Sequence, residues 1–142
     1  MNCYFDVLLK LANKAYKRNE VPVGAIVVFN NKIIAKAYNK RTRNHDITSH
    51  AEIIAIKKAA KKIGDWRLND CDIYVNLEPC SMCKEVIKQS RIANVYYLID
   101  KYNYKKEYAK TNFKKVSEKD YSFQQKKYRE LLSKFFKLKC KR

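Results

Sequence analysis

Hydrophobic and polar positions along this chain switch between helical and strand-like rhythms. Tyr4, Phe5, Leu8, Leu11, Ala12, Ala15 and Tyr16 recur at three- and four-residue spacing, which predicts an amphipathic first helix. Residues 21–29 form a nearly unbroken apolar run that reads as a buried strand. Asn30-Asn31 suits a two-residue turn at positive φ, and residues 33–38 return as the partner strand. Residues 39–48 are polar and basic and read as a loop. Helical spacing resumes over residues 49–63, with Ile53, Ile56 and Ala60 inward and Gly64 placed to end the helix. A strand over 71–77, a helix over 80–90 and a strand over 95–99 follow. Residues 101–120 show no clear period. Residues 121–139 read as a last helix, with Tyr128, Leu131, Leu132, Phe135 and Leu138 along one side. Strands alternating with helices after an initial hairpin predict an α/β/α layered fold. Neither a repeat nor a linker interrupts the pattern, so one domain over residues 1–142 is expected.

Composition sharpens this picture. Hydrophobic residues make up 46% of the chain, enough for a core despite 32% charged residues, which argues against disorder. No apolar run is long enough to cross a bilayer. The N-terminus lacks a basic start followed by an apolar stretch, so a cytoplasmic location is expected. The five cysteines include only one close pair, Cys80 and Cys83, which fits metal ligation in a reducing compartment better than a disulfide framework. The formal charge is +18, and residues 101–142 hold 15 basic and 4 acidic residues, so a polyanionic partner is expected for that third. A chain rich in Lys, Asn, Ile and Tyr, with 2 Gly and 2 Pro, is also what AT-rich coding produces, and this accounts for part of the lysine excess.

The candidate chemistry lies in two short motifs, His50-Ala51-Glu52 and Pro79-Cys80-Ser81-Met82-Cys83. One nitrogen and two sulfur ligands make a zinc site with a fourth position left for water, the arrangement of a catalytic rather than a structural site. Three residues apart at a helix start, Cys80 and Cys83 face the same side, where the helix N-terminus favours thiolates. Taken singly, each piece has another reading. Cys80 and Cys83 also fit a redox pair or half of a zinc knuckle. Ser49-His50-Ala51-Glu52 also fits a capping box in which Glu52 closes a helix start. The conjunction favours zinc at His50, Cys80 and Cys83, with Glu52 as the carboxylate that moves the water's protons. Glu78, next to Pro79, reads as structural or as support for the site. Gly24 either marks a bulge or lets backbone approach a ligand.

Beyond these motifs the chain resembles the bacterial-type tRNA-specific adenosine deaminases, within the zinc-dependent cytidine and deoxycytidylate deaminase superfamily. The resemblance rests on Glu20-Val21-Pro22-Val23-Gly24-Ala25, Asn44-His45-Asp46, His50-Ala51-Glu52-Ile53, Trp66-Arg67-Leu68, residues 77–83, Ser90-Arg91-Ile92 and the tail residues 131–136. It implies a cytidine-deaminase-like fold with a five-stranded mixed sheet, a homodimer and one zinc per subunit. It also implies hydrolytic conversion of the wobble adenosine of a tRNA anticodon loop to inosine, with release of ammonia. Asn39 matches a position that contacts the target base, and Asp100 matches an aspartate near the anticodon. The chain departs from the family in residues 101–112, where lysines and tyrosines interleave without the usual glycines, and at Ile47, where proline is usual. The interleaved segment reads either as an RNA-stacking surface or as a solvated helix. Two other functions stay in view: deamination of a free base or nucleoside such as cytosine, guanine or deoxycytidylate, and a non-catalytic zinc-bearing RNA-binding subunit. The basic tail speaks against the first and Glu52 against the second.

Overall fold

The computed structural model describes residues 3–100 and 117–140. They fall in two compact units, Met1–Asn103 and Tyr104–Arg142. In the first, helix α1 (Cys3–Lys17) is followed by strands β1 (Gly24–Phe29) and β2 (Lys32–Tyr38), helix α2 (Ala51–Ile63), β3 (Cys71–Leu77), helix α3 (Ser81–Gln89) and β4 (Asn94–Ile99). The second contains helix α4 (Glu118–Cys140). Of the apolar side expected on α4, Leu132, Phe135 and Leu138 lie outside the described side chains, and residues 101–116 lie outside the described chain. Among the described residues no helix is long and apolar enough to cross a membrane.

Among the described residues the sheet has four strands in the order β2-β1-β3-β4. β1 pairs antiparallel with both β2 and β3, while β3 and β4 run parallel, so the sheet is mixed as expected, with four of the five expected strands among the described residues. Helices cover both faces. Leu8 and Leu11 of α1 pack on Ile26 and Val28 on one side. Ala25 and Val27 face the other side, with Ala51, Ala55 and Ile56 of α2 and Ile87 of α3. This explains why β1 is hydrophobic at every position: neither of its faces meets water. Each fully buried Ile or Val on it contributes roughly 1.5–3 kcal/mol.

Several boundaries moved for local reasons. β1 starts at Gly24 rather than residue 21, because the Val23 N–H turns back to the Val21 carbonyl at 2.8 Å and Pro22 has no N–H to give a ladder. Asn30 and Asn31 sit at φ 51° and 60°, the predicted two-residue turn. Gly64 ends α2 at φ 81°, its N–H on the Ala60 carbonyl at 2.8 Å. Tyr16, expected on the buried side of α1, is exposed. Leu8, Leu11, Ala12 and Ala15 fill that stripe without it. Gly24 does not mark the bulge: the register shift lies between Val27 and Val28, and a Cβ on Gly24 would meet the Leu11 Cβ at 2.5 Å. The glycine lets α1 lie close on β1.

Candidate active site

Two helix starts converge where β3 ends. His50 is the N-cap of α2, at φ −74° and ψ 150°, and Cys80 is the N-cap of α3, at φ −68° and ψ 169°. Neither side chain bonds its own helix, so both remain available for other partners. Cys83 sits one turn into α3 and is fully buried. The His50 Nδ1 lies 3.7 Å from Cys80 Sγ and 3.5 Å from Cys83 Sγ. All three ligand atoms fall within 4.8 Å of one another. A tetrahedral zinc with ordinary Zn–N and Zn–S bonds places its nitrogen and sulfur ligands about 3.6 Å apart. The observed spacings agree with that edge, so the three residues fit the metal.

The capping-box reading of Glu52 does not hold. His50, not Ser49, is the N-cap. The Ser49 hydroxyl donates to Asp46 Oδ2 at 3.1 Å and accepts from Asn44 Nδ2 at 3.2 Å. Glu52 is 4% exposed, beside the three ligands. Burial pushes its carboxyl above the usual range, against the opposing pull of its own backbone N–H, the Cys83 thiol and His50. The two cysteines are pushed in opposite directions. Cys80 is held far down, to about 3, by the Cys83 thiol and His50, whereas Cys83 is driven up by Cys80 and by burial. His50 is raised, first by its bond to Cys80 and further by the Cys80 and Glu52 charges, against the opposing effects of burial and, last, of the Arg41 charge.

The surrounding loops are fixed by side chains that carry no sequence pattern of their own. Glu20 is 6% exposed and accepts the Thr42 N–H at 2.9 Å and the Arg43 N–H at 2.7 Å, which anchors the loop between β2 and α2. Burial pushes its carboxyl up, but the N–H groups of Arg43 and Thr42, the Thr42 hydroxyl and the Arg41 charge together outweigh that and hold it low. Asp46 accepts the Thr48 N–H at 2.9 Å and the Thr48 hydroxyl at 2.7 Å. On β3, Asn76 Oδ1 accepts the Gly24 N–H at 2.7 Å and ties β1 to the strand that leads into Cys80. Glu78 pairs with Lys84 at 2.6 Å, in keeping with the structural role expected for it.

The structure thus gathers His50, Cys80, Cys83 and Glu52. Asn39 is buried at the end of β2, its N–H on the Val23 carbonyl at 3.0 Å. The next residue, Lys40, donates its N–H to the Ser49 carbonyl at 2.9 Å, which sets Asn39 close to the start of α2 in the chain's folding. Asp100 is exposed, just past the end of β4. The Glu78 N–H bonds the Ile99 carbonyl at 2.8 Å, so the end of β4 adjoins the turn into Cys80.

Residues 2–99 match the cytidine and deoxycytidylate deaminase zinc-binding region, and the chain belongs to that family. Within it, the chain is 48% identical over 91 residues to a tRNA-specific adenosine deaminase of Rickettsia bellii. That match covers 63% of each protein, so the alignment reaches a little under two thirds of the relative's length. A structure from a study of A-to-I editing by tRNA:A34 deaminases at the wobble position of transfer RNA is 38% identical, with a TM-score of 0.69, over 70% of this chain and 77% of that one. A guanine deaminase from Bacillus subtilis is 28% identical, with a TM-score of 0.72, over 89% of this chain and 93% of that one.

Proposed function

We propose that this protein is a zinc-dependent hydrolase that converts the wobble adenosine of a tRNA anticodon loop to inosine and releases ammonia. The observation that carries the reading is the convergence of His50, Cys80 and Cys83 within 4.8 Å, with the buried Glu52 beside them. His50, Cys80 and Cys83 would hold one zinc per subunit. When bound, zinc supplies a Lewis acid that makes water nucleophilic near neutral pH. Glu52 takes one proton from the attacking water and passes it to the adenine ring nitrogen next to the carbon under attack. A C–O bond forms at that carbon, its C–N bond breaks, and Glu52 helps deliver a proton to the leaving ammonia. Asn39, at the end of β2, would hold the target base. Asp100, at the end of β4, would contact the anticodon loop. An anticodon loop already presents unpaired bases, so extruding the target costs little.

The choice of substrate follows the relatives of higher identity and the surplus of basic residues. Residues 1–142 would act as one deaminase domain in a cytoplasmic homodimer. The Bacillus subtilis likeness keeps a second reading alive, a deaminase of free guanine. Incubating the zinc-loaded protein with an unmodified tRNA carrying wobble adenosine, and separately with guanine and cytidine, decides between them. Inosine at that one tRNA position is expected. Ammonia from guanine or cytidine alone would keep the hydrolytic site and overturn the tRNA assignment.

A further inference from the structure

The loop between β2 and α2 carries Lys40, Arg41 and Arg43, with Arg41 and Arg43 exposed and Lys40 half-buried. It is rigidly built. The Asn44 N–H returns to the Lys40 carbonyl at 2.9 Å, the His45 N–H to the Thr42 carbonyl at 3.2 Å and the Asp46 N–H to the Arg41 carbonyl at 3.0 Å. Glu20 grips its middle from the end of α1 through the Thr42 and Arg43 N–H groups, at 2.9 and 2.7 Å. Arg18 joins the same cluster: it hydrogen-bonds the Tyr38 hydroxyl. Its guanidinium lies 5.4 Å from the Tyr38 ring centroid, and the Lys40 ammonium lies 4.8 Å from it. Two cations, Arg18 and Lys40, therefore lie against the residue just before Asn39, and Arg41 and Arg43 follow on the same loop.

Their charge is only partly offset, by Glu20, whose carboxyl the Arg41 charge helps hold low. Among the described residues none of the four makes an ion pair. The two carboxylates of the region, Glu20 and Asp46, are spent on the N–H and hydroxyl groups of the loop itself. Such a rigid ridge is tied through the Lys40 N–H to the carbonyl of Ser49, at 2.9 Å, the residue before His50. Arginines fixed in advance on a stiff loop give up less freedom on meeting a phosphate than lysines on a tail.

We propose that Lys40, Arg41 and Arg43 form the phosphate-binding lip of the active site and hold the RNA backbone beside the target adenosine. The proposal rests on the tRNA reading above and places the principal electrostatic contact in this loop, not in the basic C-terminal third. Each phosphate contact to a single strand adds about 0.7 to the slope of log K against log salt.

The test compares binding of an anticodon stem-loop RNA with wobble adenosine to wild-type protein, Lys40→Ala/Arg41→Ala/Arg43→Ala and the charge-keeping Lys40→Arg/Arg41→Lys/Arg43→Lys. The alanine variant is expected to lose about 2 from the salt slope and about 100-fold in affinity near 0.1 M salt. The charge-keeping variant is expected to hold the wild-type slope. If the alanine variant melts well below wild type, Arg41→Gln replaces it, with an expected slope loss of about 0.7. Unchanged slope and affinity, with inosine still formed by wild type, would overturn the phosphate lip and leave the function standing. Wild-type protein that neither binds nor deaminates this RNA would overturn both.

Discussion

Gly24→Ala tests the packing that supports the site. The new Cβ would stand 2.5 Å from the Leu11 Cβ, 3.2 Å from the Leu8 carbonyl oxygen and 3.4 Å from the Ala12 nitrogen. Carbon atoms rest about 3.5–4.0 Å apart, so α1 or β1 must give way by about 1 Å. The obstructing atoms belong to backbone and to a Cβ, and no side-chain rotation clears them. Overpacking of this kind costs roughly 1–3 kcal/mol. Restricting the unfolded chain returns about 0.4–1 kcal/mol, because Gly24 does not occupy the left-handed region. Taken at the middle of both ranges, the net loss is about 1.3 kcal/mol, or roughly 3–6 °C in Tm for a chain of this size. Urea unfolding and thermal melts of zinc-loaded parent and variant read it directly. Shortening Leu11 to Ala leaves the clash in place, so the double variant is expected to be no more stable than Gly24→Ala. A Gly24→Ala protein as stable as its parent would refute the close-packing account of this glycine.

Other outcomes follow from the site. Cys83→Ala or Cys80→Ala removes one of the three proposed ligands and is expected to weaken zinc binding by more than about 100-fold, read by metal retention against a chelator; full retention would mean that the sulfur does not ligate. Glu20 is held below its ordinary 4.5, so its contribution to stability is present above that value and is lost as the pH falls through its lowered pKa. Melting temperature followed from about pH 3 to 7 is therefore expected to fall more steeply on the acid side for wild type than for Glu20→Gln, which starts lower near neutrality; parallel curves would deny Glu20 its role in fixing the loop.

Much of this was legible in the chain, for identifiable reasons. The β3 strand came out with the same bounds that its alternation suggested, since Cys71, Ile73 and Val75 all face one core. The ligand trio was readable because its members lie in two short motifs, each fixed by a helix start. The helix starts themselves were misplaced by a residue or two. The S-x-x-E pattern at Ser49 fits a cap equally well, and only the folded loop reveals that Asp46 and Asn44 already occupy the Ser49 hydroxyl. Glu20 and Asn76 were unreadable as supports: they act on backbone 22 to 52 residues away, and no local period encodes such contacts. Tyr16 shows the converse error, an aromatic residue at helical spacing that nonetheless faces water. The role of Gly24 depends on how near a helix from elsewhere in the chain approaches, which composition cannot tell.

The central claim is that Glu52 moves protons at a zinc site made by His50, Cys80 and Cys83. The most direct measurement is single-turnover deamination of a wobble-adenosine tRNA by Glu52→Gln, with zinc content and melting temperature recorded on the same protein. The account predicts wild-type zinc and fold, with deamination slower by about 10²–10⁴-fold or more. A zinc-loaded Glu52→Gln protein that forms inosine within a few-fold of the wild-type rate would contradict it.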